Sequence, residues 1–157
     1  MRNIDITIPV TEYTYDELPA DVRQLCEKAR QATYRSFSPY SHFRVGAAIA
    51  LDNGVTVEGA NQENVAYPSG TCAERTAAYY AHATYPDAKF QRIAIAARGT
   101  DGEFVAEPVP PCGACRQALL EYEMLAKGPV QVFLCGRDKV YGLPSVASTL
   151  PLAFTEF

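Results

Sequence analysis

Apolar residues recur at Leu18, Val22, Leu25, Ala29 and Ala32, every three or four positions, which is the spacing of one helical face. The pattern predicts a first helix from about Asp16 to Ser36, with Cys26 on or beside its apolar stripe as a core thiol. Ahead of it, Ile4, Ile6 and Ile8 alternate with polar residues before Pro9 and read as a strand. Val45, Ala47, Ile49 and Leu51 also alternate; Asn53-Gly54 follows, then a second run through Val55 and Val57, and together these predict a β-hairpin. Helical sequence runs from Cys72 to about Ala83 and from Gly113 to Met124, while "RIAIAA" (residues 92–97) and "VQVFL" (residues 130–134) suit buried strands.

Strands that alternate with helices favour parallel neighbours, and the hairpin adds an antiparallel pair. The expected fold class is therefore α/β: a three-layer α/β/α sandwich around a mixed five-stranded sheet, formed by residues 1–157 as one domain, with residues 1–15 as an N-terminal arm or extra strand. No Gly- or Ser-rich linker and no repeat divides the chain, and "GTDGEFVAEPVP" is its longest irregular stretch, expected as a surface loop. Composition refines this picture. The 18 acidic side chains outnumber the 14 basic ones without any basic run, which disfavours a nucleic-acid partner and favours a small-molecule substrate. The N-terminal residues lack the apolar core of a signal peptide and no stretch has the length of a membrane span, so the expectation is a cytoplasmic protein with no membrane partner.

Five cysteines in such a chain do not suggest a disulfide framework. Cys112 and Cys115, in "PCGACRQ", have the spacing at which two thiolates clasp one metal ion; alone, the pair reads equally as a redox dithiol or half of a structural zinc knuckle. Cys72, in "TCAERT", is the other cysteine in a comparable setting, and three cysteines leave the fourth tetrahedral position open, as catalytic zinc requires. Residues two apart on a helix point to opposite sides, so Cys72 and Glu74 can serve one site only beyond a helix tip. Two helix N-termini aimed at one point would hold thiolates as anions, and Arg75 is placed to hydrogen-bond a ligating sulfur.

"PYSHFRVGAA", "NQENVAY", "CAER" and "PCGACRQ", in that order, together resemble the cytidine deaminase family of small zinc enzymes that act on free nucleosides, and "LPLAF" near the end extends the likeness. The resemblance implies one Zn²⁺ per chain on Cys72, Cys112 and Cys115, with Glu74 as the catalytic proton shuttle. It implies hydrolytic deamination of cytidine and 2′-deoxycytidine to uridine and 2′-deoxyuridine with release of ammonia, in pyrimidine salvage. Asn61 and Glu63 would address the sugar hydroxyls, Phe43 would wall the pyrimidine ring, and Tyr67 and Ala73 would complete the substrate site, with Tyr40 at a pocket or subunit contact. Phe154 would reach a neighbouring subunit's pocket in a homotetramer with shared active sites. Gln62 stands where the family more often has an aliphatic residue, and His42 and His82 match no ligand position.

Overall fold

In the computed structural model, which describes residues 1–155, a single mixed sheet of six strands carries helices on both faces. The strands are β1 (Thr11–Thr14), β2 (Arg44–Leu51), β3 (Thr56–Ala60), β4 (Phe90–Arg98), β5 (Gln131–Cys135) and β6 (Lys139–Leu143), and the helices are α1 (Ala20–Ala32), α2 (Ala73–Thr84) and α3 (Gly113–Ala126). The strand order is β1-β6-β5-β4-β2-β3. Only the β4–β5 pair is parallel, and α3 makes its crossover; the other pairs are antiparallel.

Period-two alternation sorts the strand residues between the two helical layers. Ala47, Ile49, Ile93, Ile95, Val132 and Leu134 face Ala77, Ala78 and Ala81 of α2 and Leu119 and Leu120 of α3. Their neighbours Ala48, Ala94, Ala96, Phe133 and Cys135 face Val22, Leu25, Cys26 and Ala29 of α1. Burial of each Ile, Leu or Val side chain contributes about 1.5–3 kcal/mol. The three-layer sandwich is thus present, and Cys26 is a fully buried core thiol.

The sheet has six strands rather than the five expected, because β1 and β6 form a further antiparallel pair. The arm differs from its expected form as well: Ile4, Ile6 and Ile8 are 79%, 55% and 40% exposed and form no strand. The register explains this. Thr11 pairs with Gly142, one residue before β6 ends, and Pro144 follows without an N–H to extend the ladder. The first helix also starts later than Asp16. Thr14 caps a short 3-10 turn over Tyr15–Glu17, its N–H and hydroxyl donating to the Glu17 carboxylate. Leu18, the residue before Pro19, is extended at φ −72° and ψ 140°, so the regular helix begins at Ala20.

Gly59 positions the helix that matters most for the site. A Cβ at Gly59 would lie 2.5 Å from the Ala77 nitrogen and 2.7 Å from the Ala73 carbonyl oxygen, so glycine lets the first turn of α2 rest directly on β3.

Candidate active site

Cys72 and Cys112 are the N-cap residues of α2 and α3, and Cys115 lies in the first turn of α3. No side chain caps either helix start, so the unpaired amides and dipoles of both helices act on the sulfurs gathered there. The three Sγ atoms lie within 4.8 Å of one another, with Cys72 and Cys112 sulfurs 3.9 Å apart. Three soft donors at this separation, at the ends of two rigid helices, suit a tetrahedral zinc ion with one position left open. The geometry expected from the sequence, a site beyond two helix tips, is the one observed.

Arg75 donates from Nη2 to the Cys72 sulfur at 3.8 Å. The Cys72 thiol is brought down to about 5, first by the hydrogen bond from Cys115 and then by Arg75, against the cost of burial. Cys115 moves the opposite way, upward, because its proton is held by Cys72 and because burial disfavours a second charge. Glu74 is only 4% exposed. Burial raises its carboxyl above the ordinary carboxylate range, and the negative charge at Cys72 adds to this, which favours a group that holds and passes a proton. Arg116 serves a different purpose from Arg75: Nε donates to the Pro111 carbonyl at 2.7 Å and Nη1 to the Thr149 carbonyl at 2.8 Å. It fastens the approach to Cys112 onto the C-terminal segment.

A cleft of about 550 Å³ opens beside Cys72 and Arg75, lined by Tyr40, Ser41, Asn61, Gln62, Glu63, Asn64, Tyr67, Gly70 and Thr71. Its size suits a nucleoside-sized ligand. Three chain segments are knitted together there by backbone hydrogen bonds. The Phe37 N–H donates to the Asn61 carbonyl and the Glu63 N–H to the Phe37 carbonyl, while Gln62 and Thr71 exchange N–H donors at 2.8 and 2.9 Å.

Side chains complete the weave. Asn61 Oδ1 accepts from the Ser36 hydroxyl at 2.6 Å and the Val45 N–H at 2.8 Å, and its Nδ2 donates to the Phe43 carbonyl at 3.0 Å. Glu63 Oε2 accepts from the N–H groups of Tyr40 and Ser41 at 2.9 and 3.3 Å, and Oε1 accepts from the Ser41 hydroxyl. These bonds, the Ser41 hydroxyl foremost, hold the Glu63 carboxyl below its ordinary range. Asn61 and Glu63 therefore shape the 36–45 loop as well as lining the cleft. Sequence reading directed both residues at a sugar and missed Ser36 and Ser41 as their partners, although Ser41 lies within the "SPYSHF" stretch and Ser36 two residues before it.

The remaining expected site residues are distributed as follows. Tyr40 and Tyr67 line the cleft, and Tyr67 is 89% exposed. Phe43 is half-buried at the start of β2 and is not among the lining residues; its N–H donates to the Ser41 hydroxyl oxygen at 3.0 Å. Ala73 is fully buried as the first residue of α2. The Phe154 carbonyl accepts from Gln117 Nε2 at 2.9 Å, which lays the C-terminal segment against α3, and Phe154 is 64% exposed. His42 is exposed at the loop tip with φ 56°, and His82 tilts against the Tyr122 ring, away from the three sulfurs.

Residues 19–127 match the family described as the cytidine and deoxycytidylate deaminase zinc-binding region, a span that holds the three cysteines and Glu74. Among curated proteins, the cytidine deaminase of Halalkalibacterium halodurans is 38% identical over 135 residues, covering 86% of this chain and 95% of that protein. The cytidine deaminase of Sporosarcina psychrophila is 37% identical over 136 residues, covering 87% and 93%. Among solved structures, cytidine deaminase from Burkholderia pseudomallei superposes with a TM-score of 0.72 at 34% identity, over 87% of this chain and all of that one. Cytidine deaminase from Mycobacterium tuberculosis superposes with a TM-score of 0.69 at 31% identity, over 88% of this chain and 100% of that one. Two helix tips that converge three thiols beside a buried glutamate, together with these likenesses, make the chain a member of the cytidine deaminase family of zinc-dependent hydrolytic deaminases.

Proposed function

We propose that the chain hydrolyses cytidine and 2′-deoxycytidine to uridine and 2′-deoxyuridine, releasing ammonia, at the site formed by Cys72, Cys112, Cys115 and Glu74. The observation that carries this is the buried Glu74 carboxyl at the tip of α2, beside three sulfurs within 4.8 Å of one another, at the end of a nucleoside-sized cleft. Cys72, Cys112 and Cys115 would hold one zinc ion per chain, which supplies Lewis acidity that makes water nucleophilic at neutral pH. Arg75 offsets charge on the Cys72 sulfur. Glu74 carries the first proton of the attacking water to N3 of the pyrimidine, then carries the second, from the hydroxyl formed on C4, to the amine that leaves as ammonia while C4 becomes the carbonyl of uridine.

Asn61 and Glu63 address the sugar, and their remaining hydrogen-bonding capacity is compatible with either sugar. Of the two lone pairs and two N–H groups of the amide, one N–H is unused; of about four acceptor positions on the carboxylate, one is unused. One donor and one acceptor serve one hydroxyl, so the pair does not need the 2′-OH. Tyr67 and Ala73 adjoin the same substrate site, and Phe43, just ahead of β2, meets the pyrimidine ring. The decisive test is Glu74→Gln: the variant should keep its zinc by metal analysis and lose about 10²–10⁴-fold in kcat in an ultraviolet assay. Undiminished turnover with zinc retained sinks the assignment.

The proposal includes a homotetramer in the cytoplasm, each chain one cooperative domain, with Phe154 entering a neighbour's site. The exposed rings of Tyr40, Tyr67 and Phe154 support the assembly, and the five free cysteines support a reducing compartment. Sedimentation equilibrium tests it, with a monomer at catalytic concentration as the contrary result. Among the described residues no helix is long and apolar enough to cross a membrane.

A further inference from the structure

The Ser41 hydroxyl has a fixed direction. Its oxygen accepts the Phe43 N–H at 3.0 Å, so its proton goes to Glu63 Oε1, while Oε2 of the same carboxylate is saturated by the N–H groups of Tyr40 and Ser41. Ser41 is exposed and contributes nothing to the core, and it lines the cleft directly beside Glu63. A glutamate at a cleft wall otherwise samples several rotamers, and a ligand that needs one of them must bear the ordering cost on binding. Here three donors from one loop remove that freedom beforehand.

We propose that Ser41 is a positioning residue for sugar recognition: its hydroxyl locks the Glu63 carboxylate so that one acceptor position, and only one, remains for a substrate hydroxyl. The inference rests on the reading that Glu63 meets the sugar. It assigns to the Ser41 side chain a role in binding and none in the deamination step, since Ser41 acts only through Glu63. The same loop carries Tyr40, which lines the cleft, so the lock also holds this aromatic wall in register with the polar side.

The test measures kcat and KM for Ser41→Ala, Glu63→Gln and the double variant with cytidine, 2′-deoxycytidine and 2′,3′-dideoxycytidine, each enzyme first checked for full zinc. Ser41→Ala is expected to raise KM about tenfold for the two substrates that carry a 3′-hydroxyl, equal to about 1.4 kcal/mol, with kcat nearly unchanged. It should leave KM for the dideoxy substrate unchanged and add nothing in the Glu63→Gln background. An equal KM rise on all three substrates, or full additivity with Glu63→Gln, overturns the positioning role while leaving the sugar contact intact. A Glu63→Gln enzyme with the original KM for cytidine overturns the sugar contact itself, and the positioning role with it.

Discussion

The Glu123 carboxylate, buried at the C-terminal half of α3, accepts three backbone N–H groups: Val130 at 2.9 Å and Val146 at 2.7 Å on Oε2, and Ala147 at 3.0 Å on Oε1. Glu123→Ala removes all three acceptors at once. A hydrogen bond to a charged group contributes about 1.5–3 kcal/mol, and a buried donor left unpaired costs about 1–3 kcal/mol. The bonds share one carboxylate and are not additive, and its own desolvation is recovered on removal, so the net destabilisation is set at about 3–5 kcal/mol. Against a domain stability of about 5–15 kcal/mol, that is a large fraction. The consequence reaches the metal site by a short route: the segment that Glu123 pins at Val146 and Ala147 includes Thr149, whose carbonyl holds Arg116, which in turn holds Pro111 beside Cys112. Urea unfolding at saturating zinc, followed by circular dichroism, reads the stability, and zinc retention after gel filtration reads the coupling. Glu123→Gln should lose less, about 1.5–3 kcal/mol, because one oxygen still accepts while its amide meets an N–H head-on. A Glu123→Ala midpoint equivalent to a loss under about 0.5 kcal/mol, the range of an ordinary surface change, refutes the reasoning.

Gly59→Ala forces a methyl into the backbone of α2 and should cost about 1–3 kcal/mol in chemical denaturation, with zinc affinity reduced because the displaced turn carries Cys72; a neutral substitution would show that the helix shifts freely. Arg75→Ala should weaken zinc binding by about 10–100-fold in a chelator competition, and an unchanged affinity would mean that its bond to Cys72 does not influence the site. Protons compete with zinc for the ligating thiols, so affinity should fall on acidification, least for Cys72, whose thiol is brought down to about 5 from its ordinary value. A pH-independent affinity between pH 5 and 8 would contradict thiolate ligation.

The strands that sequence periodicity located are those with a buried face. β2, β4 and β5 bury alternate residues against both helical layers, so the alternation of Ile and Ala carries the packing directly. β6 has a pattern too weakly apolar to be predicted, and the strand within residues 1–15, expected there as an arm or extra strand, falls at "TEYT" rather than at the isoleucines: this stretch is largely exposed at the sheet edge, and its existence depends on main-chain pairing with β6. The isoleucines of the arm have the right period and no partner beyond Leu143, which shows that alternation predicts a strand only where a neighbouring strand continues. The metal site, by contrast, was legible because its chemistry is local: Cys72 and Glu74 lie on one helix tip and Cys112 and Cys115 on another, so spacing and helix geometry already constrain them.

The cleft's polar wall had no such local signature. Ser41 and Glu63 are 22 positions apart, and Ser36 and Asn61 are 25 apart. Nothing in the sequence between them states that each hydroxyl will be consumed by its partner. The fold makes the pairing by closing the 36–45 loop against the strand-like segment at Gln62, through main-chain bonds that any residue could supply. Once that backbone is set, the side chains have a restricted choice: an amide whose acceptor is filled by Ser36 and Val45 can present only a donor, and a carboxylate filled by Tyr40 and Ser41 can present only an acceptor. Asn61 and Glu63 are therefore not interchangeable contacts to a sugar. Asn61→Asp should be the more damaging exchange, since it removes the free Asn61 N–H and also breaks the bond to the Phe43 carbonyl, whereas Glu63→Gln keeps an oxygen for the Tyr40 and Ser41 N–H groups and loses only the acceptor turned towards the Ser41 hydroxyl and the cleft. If KM for cytidine rises more in Glu63→Gln than in Asn61→Asp, the donor and acceptor roles have been assigned the wrong weight.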